Sequence, residues 1–125
     1  MGRLRKACRA AAVAGLVIAS ASPALAQDSA AGKVLFTQCA VCHSTDGSNA
    51  VGPSLKSIVG RKAGTADGFR YSRAMKNSGV VWDDKTLDAY LTDPQKLIPG
   101  NVMPFSGMAD PKQRADVIAY LQTLK

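Results

Sequence analysis

The sequence has 125 residues, 16 Lys plus Arg against 9 acidic side chains, and a formal net charge of +7. That length sets a single domain as the expectation. Four of the basic residues (Arg3, Arg5, Lys6 and Arg9) crowd the N-terminus, so residues 27–125 hold twelve basic side chains against nine Asp, a formal +3 without the clustered basic face that nucleic-acid binding needs.

Behind those four basic residues runs an apolar stretch, Ala10 to Ala21, too short to span a bilayer. Ser-Pro-Ala-Leu-Ala follows, a small-residue cleavage pattern, so residues 1–26 read as a secretory signal peptide cut after Ala26. Cys8 leaves with it. The expected mature domain, residues 27–125, has no membrane span and is delivered to an oxidising compartment, the periplasm.

In chain order, residues 27–42 read as a helix with Val34, Leu35 and Phe36 apolar and Gly32 a close-packing position. Residues 44–70 are rich in glycine with little periodicity and read as a long loop, and Ser72 to Asn77 as a short helical turn. Asp83 caps a helix that puts Leu87, Tyr90 and Leu91 on one face. Pro94 interrupts it, Gln95 to Leu97 form a further short helix, and an irregular segment runs from Ile98 to Met108. Asp110 caps the last helix, with Pro111 in its first position and Val117, Ile118, Leu121 and Leu124 as its apolar face. The reading is an all-α domain of three main helices plus short helices and long loops, and loops of that length need something to pack on.

The chemistry concentrates in Gln-Cys-Ala-Val-Cys-His, residues 38–43, which holds every cysteine and the one histidine of the mature chain. A closed zinc site needs four ligands, and only three are present within one turn. A redox dithiol belongs at a strand end in an α/β sheet, and no such sheet is readable. A disulfide across two residues would staple almost nothing and leave His43 unexplained. Haem attachment accounts for all three residues. The thiols of Cys39 and Cys42 form thioethers with the two vinyl groups, and His43 falls under the iron as its proximal ligand.

No second histidine is available for the other axial position, which leaves a methionine, an amine or an open site. Met75, Met103 and Met108 are the methionines left after cleavage. A methionine is more often gap-filling core than ligand. Met103 stands apart because it lies in Ile-Pro-Gly-Asn-Val-Met-Pro-Phe, a segment stiffened by prolines that can hold a thioether in place.

Several separated motifs in order then carry a resemblance over essentially the whole mature chain. They are Cys39-Ala40-Val41-Cys42-His43, Val51-Gly52-Pro53-Ser54-Leu55, Gly60-Arg61-Lys62-Ala63-Gly64, Tyr71, Trp82, Tyr90-Leu91, Pro99-Gly100 and Met103-Pro104-Phe105. The sequence resembles the class I c-type cytochromes, on the branch of bacterial cytochrome c2 and mitochondrial cytochrome c. The resemblance implies a small cytochrome c fold wrapped around one covalent haem c, with His43 and Met103 as axial iron ligands. It implies that the Pro53 carbonyl accepts from the His43 ring, that Arg61, Tyr71 and Trp82 surround a buried propionate, and that Tyr90 sits beside the methionine. It also implies that Gly32 and Phe36 meet Tyr120 where the first and last helices cross. The implied function is one-electron transfer by a monomer, not enzymic catalysis, between a membrane donor such as a cytochrome bc1 complex and an oxidase, reaction centre or reductase. Two departures from that pattern stand out: Met75 occupies a place where an Asn is common, and lysines around the haem edge are replaced by Gln38, Ser48, Gln95, Val102, Ala109 and Asp110, with Lys96 retained.

Overall fold

A computed structural model describes residues 26–125, so the expected leader lies, but for Ala26, outside the described residues. Helix α1 spans Ser29–Leu35, and the Asp28 carboxylate starts it by accepting from the N–H groups of Ala30 (2.9 Å) and Ala31 (3.1 Å). The expected continuous helix over 27–42 is not what forms. At Phe36 the chain tightens into a 3₁₀ turn, Phe36–Gln38, and then into the successive turns that carry the cysteines. The Thr37 hydroxyl donates to the Val34 carbonyl at 2.8 Å, a local bond that competes with the regular ladder. The Cys39 and Ala40 N–H groups both converge on the Phe36 carbonyl, at 2.8 and 2.9 Å.

Helix α2 (Arg73–Asn77) is short and capped by the Ser72 hydroxyl. Helix α3 (Asp84–Thr92) opens with a reciprocal cap: Asp83 accepts from the Thr86 N–H while the Thr86 hydroxyl accepts from the Asp83 N–H. Helix α4 (Pro94–Leu97) follows at once, and α5 (Pro111–Gln122) begins with Asp110 as cap and Pro111 at its first position, as the sequence reading expected. Val117, Ile118 and Leu121 are buried along α5, while Leu124 lies past its end and is half-buried. Among the described residues the one β-type pairing is an isolated antiparallel bridge between Lys62 and Val81. Around it, Gly60 N–H donates to the Trp82 carbonyl (2.7 Å) and Trp82 N–H to the Arg61 carbonyl (2.9 Å), pinning the long loop beside the indole.

The helices meet where α1 crosses α5. A side chain at Gly32 would place its Cβ 1.9 Å from the Asp116 carbonyl oxygen, so only glycine permits this approach. One turn on, the rings of Phe36 and Tyr120 lie 5.1 Å apart at 56°, the crossing that the resemblance implied. Polar groups fasten the same crossing at its edge. Buried Asp116 accepts from the Asp28 N–H at 2.8 Å, and the Lys112 ammonium donates to both of its carboxylate oxygens, at 2.6 and 2.7 Å.

The Lys112 hydrogen bond, followed by that from the Asp28 N–H, holds the Asp116 carboxyl below the usual carboxylate range. A lowered folded-state value means the contribution to stability is complete above about pH 4, the unfolded value, and is lost as pH falls through the folded one. Asp116→Asn is therefore expected to melt at a lower temperature than the parent at pH 7. Melting curves from pH 7 down to pH 2 should show the gap closing below about pH 4. A gap of constant size across that range would assign the loss to packing instead of charge.

Candidate haem site

Between the α1–α5 crossing, the long loop and the segment after α4 lies a cavity of about 340 Å³. Its wall is mostly apolar, with Phe36, Ile58, Leu87, Leu91, Val117 and Leu121 reaching it from the core. The nine residues that the resemblance put at the haem, Cys39, Cys42, His43, Pro53, Arg61, Tyr71, Trp82, Tyr90 and Met103, all border this one cavity.

The cysteines are free thiols, each half-buried, and burial pushes the Cys39 thiol above its ordinary pKa. Backbone bonds from Cys42 and His43 to the Cys39 carbonyl, at 3.0 and 2.9 Å, hold the three residues in one turn. The His43 ring makes its hydrogen bond through Nδ1, which lies 2.7 Å from the Pro53 carbonyl. Since a carbonyl can only accept, Nδ1 carries a proton, which in the neutral imidazole puts the lone pair on Nε2. Gly52 sets the other limit on the ring. A Cβ there would stand 2.6 Å from His43 Cε1 and 2.8 Å from Nδ1, so the backbone packs flat against the imidazole. An apolar cavity with two thiols, one oriented imidazole and a thioether fits a haem held by two thioethers and two axial donors. The residues that would hold it are Cys39, Cys42, His43 and Met103.

Arg61 donates from Nη2 to the Ser54 carbonyl (2.9 Å) and from Nη1 to the Lys56 carbonyl (3.2 Å), tying the loop to itself at the cavity wall. The Tyr71 hydroxyl accepts from the Ala66 N–H at 3.3 Å, and its ring stands edge-on to Phe69 at 4.8 Å. Trp82 and Tyr90 form a second edge-on pair at 5.0 Å. Desolvation raises the Tyr90 hydroxyl to a pKa of about 12, so it remains a donor throughout the physiological range. It points at two acceptors, Asn101 Oδ1 at 3.4 Å and the Met103 thioether at 3.8 Å.

The methionines separate by position. Met103 and Met75 both border the cavity. Met108 is 8 % exposed within the core, and its N–H and carbonyl are engaged by Leu91 and Arg114.

Asn101 holds the Met103 segment together, a role that no spacing in the sequence flagged. It is 5 % exposed. Its amide nitrogen donates to the carbonyls of Pro94 (3.0 Å) and Ile98 (2.9 Å), and its amide oxygen accepts from the Met103 N–H (3.1 Å). Gln95 reinforces it from α4, donating to the Asn101 carbonyl at 2.9 Å and accepting from the Gly100 N–H at 3.1 Å. Further along, buried Arg114 donates to the carbonyls of Met108 and Ala109 at 2.8 and 2.9 Å and pairs with Asp88 at 2.7 Å. The segment is irregular in backbone yet fixed at both ends.

Comparison with known proteins gives one consistent picture. The sequence model of the family described as Cytochrome c matches residues 29–125. The chain is 46 % identical over 120 residues to cytochrome c2 of Rhodomicrobium vannielii, covering 94 % of this chain and 96 % of that protein. It is 57 % identical over 79 residues to cytochrome c of Trypanosoma brucei brucei, covering 63 % and 85 % respectively. Among solved structures it is similar to cytochrome cH from Methylobacterium extorquens, with a TM-score of 0.75 and 49 % identity over 77 % of this chain and 98 % of that one.

Two substitutions probe the two sides of the cavity. Gly52→Ala must push the His43 ring off its position, breaking the Nδ1 bond to Pro53. A loss of about 1–3 kcal/mol is expected by denaturant titration of the holoprotein, as for other overpacked sites. Asn101→Ala leaves the buried Pro94 and Ile98 carbonyls without their side-chain donor and should cost about 2 kcal/mol or more by the same measurement. An Asn101→Ala variant as stable as the parent would show that its hydrogen bonds are replaceable by water.

Proposed function

This chain belongs to the cytochrome c family, and from that membership we propose that His43 and Met103 hold its haem iron between them, so that it relays single electrons in the periplasm. Like the family it is an electron carrier and not an enzyme, and it binds one haem c covalently through Cys39 and Cys42. The observation that carries the proposal is that both thiols, the oriented imidazole and the Met103 thioether border the same apolar cavity.

Bound haem supplies an iron that gains or loses one electron without forming a bond to a substrate. The protein's part is to keep the surroundings of that iron the same in both oxidation states. His43 is fixed by Pro53 on its Nδ1 side, which makes Nε2 a stronger and better-aimed donor. Met103 is fixed through Asn101 at its own N–H and approached by the Tyr90 hydroxyl at its sulfur. A thioether ligand favours the reduced metal and raises the potential. With His43 and Met103 both holding the iron from stiff supports, the site would leave no place for a gas or a peroxide. The mostly apolar lining keeps water away and so limits the reorganisation that each electron transfer requires.

The periplasmic location rests on the basic, apolar and small-residue pattern of residues 1–26. The donor and acceptor we propose are membrane complexes, a cytochrome bc1-type complex on one side and an oxidase, reaction centre or reductase on the other. Such encounters are small and short-lived.

The ligand assignment has a direct optical test. Oxidised holoprotein is expected to show the weak far-red charge-transfer band of iron bound by a thioether. Met103→Ala should abolish that band, and Met108→Ala and Met75→Ala should leave it. If the band survives Met103→Ala, or the reduced parent protein binds carbon monoxide rapidly, the six-coordinate reading fails.

A further inference from the structure

Asp28 makes two of the contacts that hold the domain closed. Its carboxylate caps α1, accepting from the Ala30 and Ala31 N–H groups at 2.9 and 3.1 Å. Its own N–H donates to buried Asp116 at 2.8 Å, the bond that ties the start of the domain to α5. Chain ends fray and are trimmed unless something secures them. With the leader cut after Ala26, only Gln27 stands between Asp28 and the new end of the chain. An aminopeptidase that removed Gln27 would turn the Asp28 amide into a charged amine. One further step would remove the α1 cap and the bond to Asp116 together.

The residue at that end is a glutamine, and a glutamine can block its own terminus. Its α-amine and side-chain carboxamide belong to one residue, so their reaction is intramolecular and closes an unstrained five-membered lactam. Gln27 is exposed and lies outside any helix, so neither packing nor a helical bond resists the closure. The next residue is held from the far side, since its N–H is engaged by Asp116.

We propose that Gln27, freed by leader cleavage, cyclises to a pyroglutamyl residue that seals the mature chain. This inference rests on the reading of residues 1–26 as an export leader, and it adds a modification site to the electron carrier. In the step, the uncharged Gln27 α-nitrogen attacks Cδ of its own carboxamide. The N–Cδ bond forms and the Cδ–Nε2 bond breaks. Nε2 leaves as ammonia, taking the proton that the α-nitrogen gives up. Nothing is oxidised or reduced, and no co-reactant is consumed. The Gln27 carbonyl and the Asp28 N–H take no part, so the amide from which Asp116 accepts is unchanged. The product has no terminal amine for an aminopeptidase to grip, which keeps both Asp28 contacts out of its reach.

The full chain, exported by a bacterial host and freshly purified as holoprotein, provides the test. Intact mass and tandem mass spectrometry of the N-terminal peptide read the end directly. The expected product begins at residue 27 and is lighter by one ammonia than a chain with free glutamine. It should survive a broad aminopeptidase intact. Gln27→Asn keeps a carboxamide but would have to close a strained four-membered ring, so its amine should stay free. That variant should lose residues 27 and 28 under conditions that leave the parent whole, and its melting temperature should fall as cap and closure go. A parent chain that begins at residue 27 with a free amine overturns the lactam and leaves the leader reading standing. A chain that begins elsewhere overturns both. A blocked parent with an equally resistant Gln27→Asn overturns the protective role. The far-red band, recorded on the same samples, reports on the carrier reading separately.

Discussion

At Gly32 the backbone of α1 comes so close to α5 that even a methyl group would stand 1.9 Å from the Asp116 carbonyl oxygen. The rest of the molecule depends on that contact. It sets the direction in which α1 points, and the 3₁₀ turn then delivers Phe36 into the core and Cys39, Cys42 and His43 to the cavity edge. On the other strand of the crossing, α5 contributes Val117 and Leu121 to the cavity wall and, through Arg114, anchors the end of the segment that carries Met103. The two halves of the proposed metal site, 60 residues apart in sequence, are thus referred to one helix crossing.

The supports of the two proposed ligands are built from different materials. His43 is held by backbone on both sides, a carbonyl at Nδ1 and the bare Cα of Gly52 against the ring. Met103 is held by side chains: Asn101, itself gripped by Gln95, and the Tyr90 hydroxyl. A backbone clamp leaves few alternatives short of unfolding the loop. A side-chain clamp can be loosened piece by piece, so the methionine side is where small sequence changes tune the site with least damage to the fold.

Much of this was legible in the sequence for physical reasons that can be named. Asp83, Asp110 and Pro111 have one strong structural use each, and all three start helices where the pattern expected. Cys39, Cys42 and His43 stood out because residues 27–125 offer no other cysteine or histidine. The helix expected over 27–42 failed at Phe36, since apolar spacing does not reveal a threonine hydroxyl that diverts a carbonyl. Asn101 escaped for a related reason. A polar residue between Gly100 and Val102 looks like an exposed loop position, and only the fold shows it buried with its whole amide satisfied. Gly52 stood in a recognisable motif, but the imidazole that forbids a side chain there is nine residues away.

The bond from the Asp28 N–H to Asp116 joins positions 88 residues apart, nearly the full length of the described chain. Viewed as a polymer, the domain is a ring closed at its ends. Closing a flexible loop of that length costs about 4 kcal/mol of chain entropy before any contact repays it. No shorter fragment contains both sides of the closure, so α1 lacks the helix it crosses until almost all of the chain is present, whereas α5 also packs against α3. Contacts this distant in sequence slow the search for the native state. They also make its loss collective, because releasing either end frees the surface on which the other end rests.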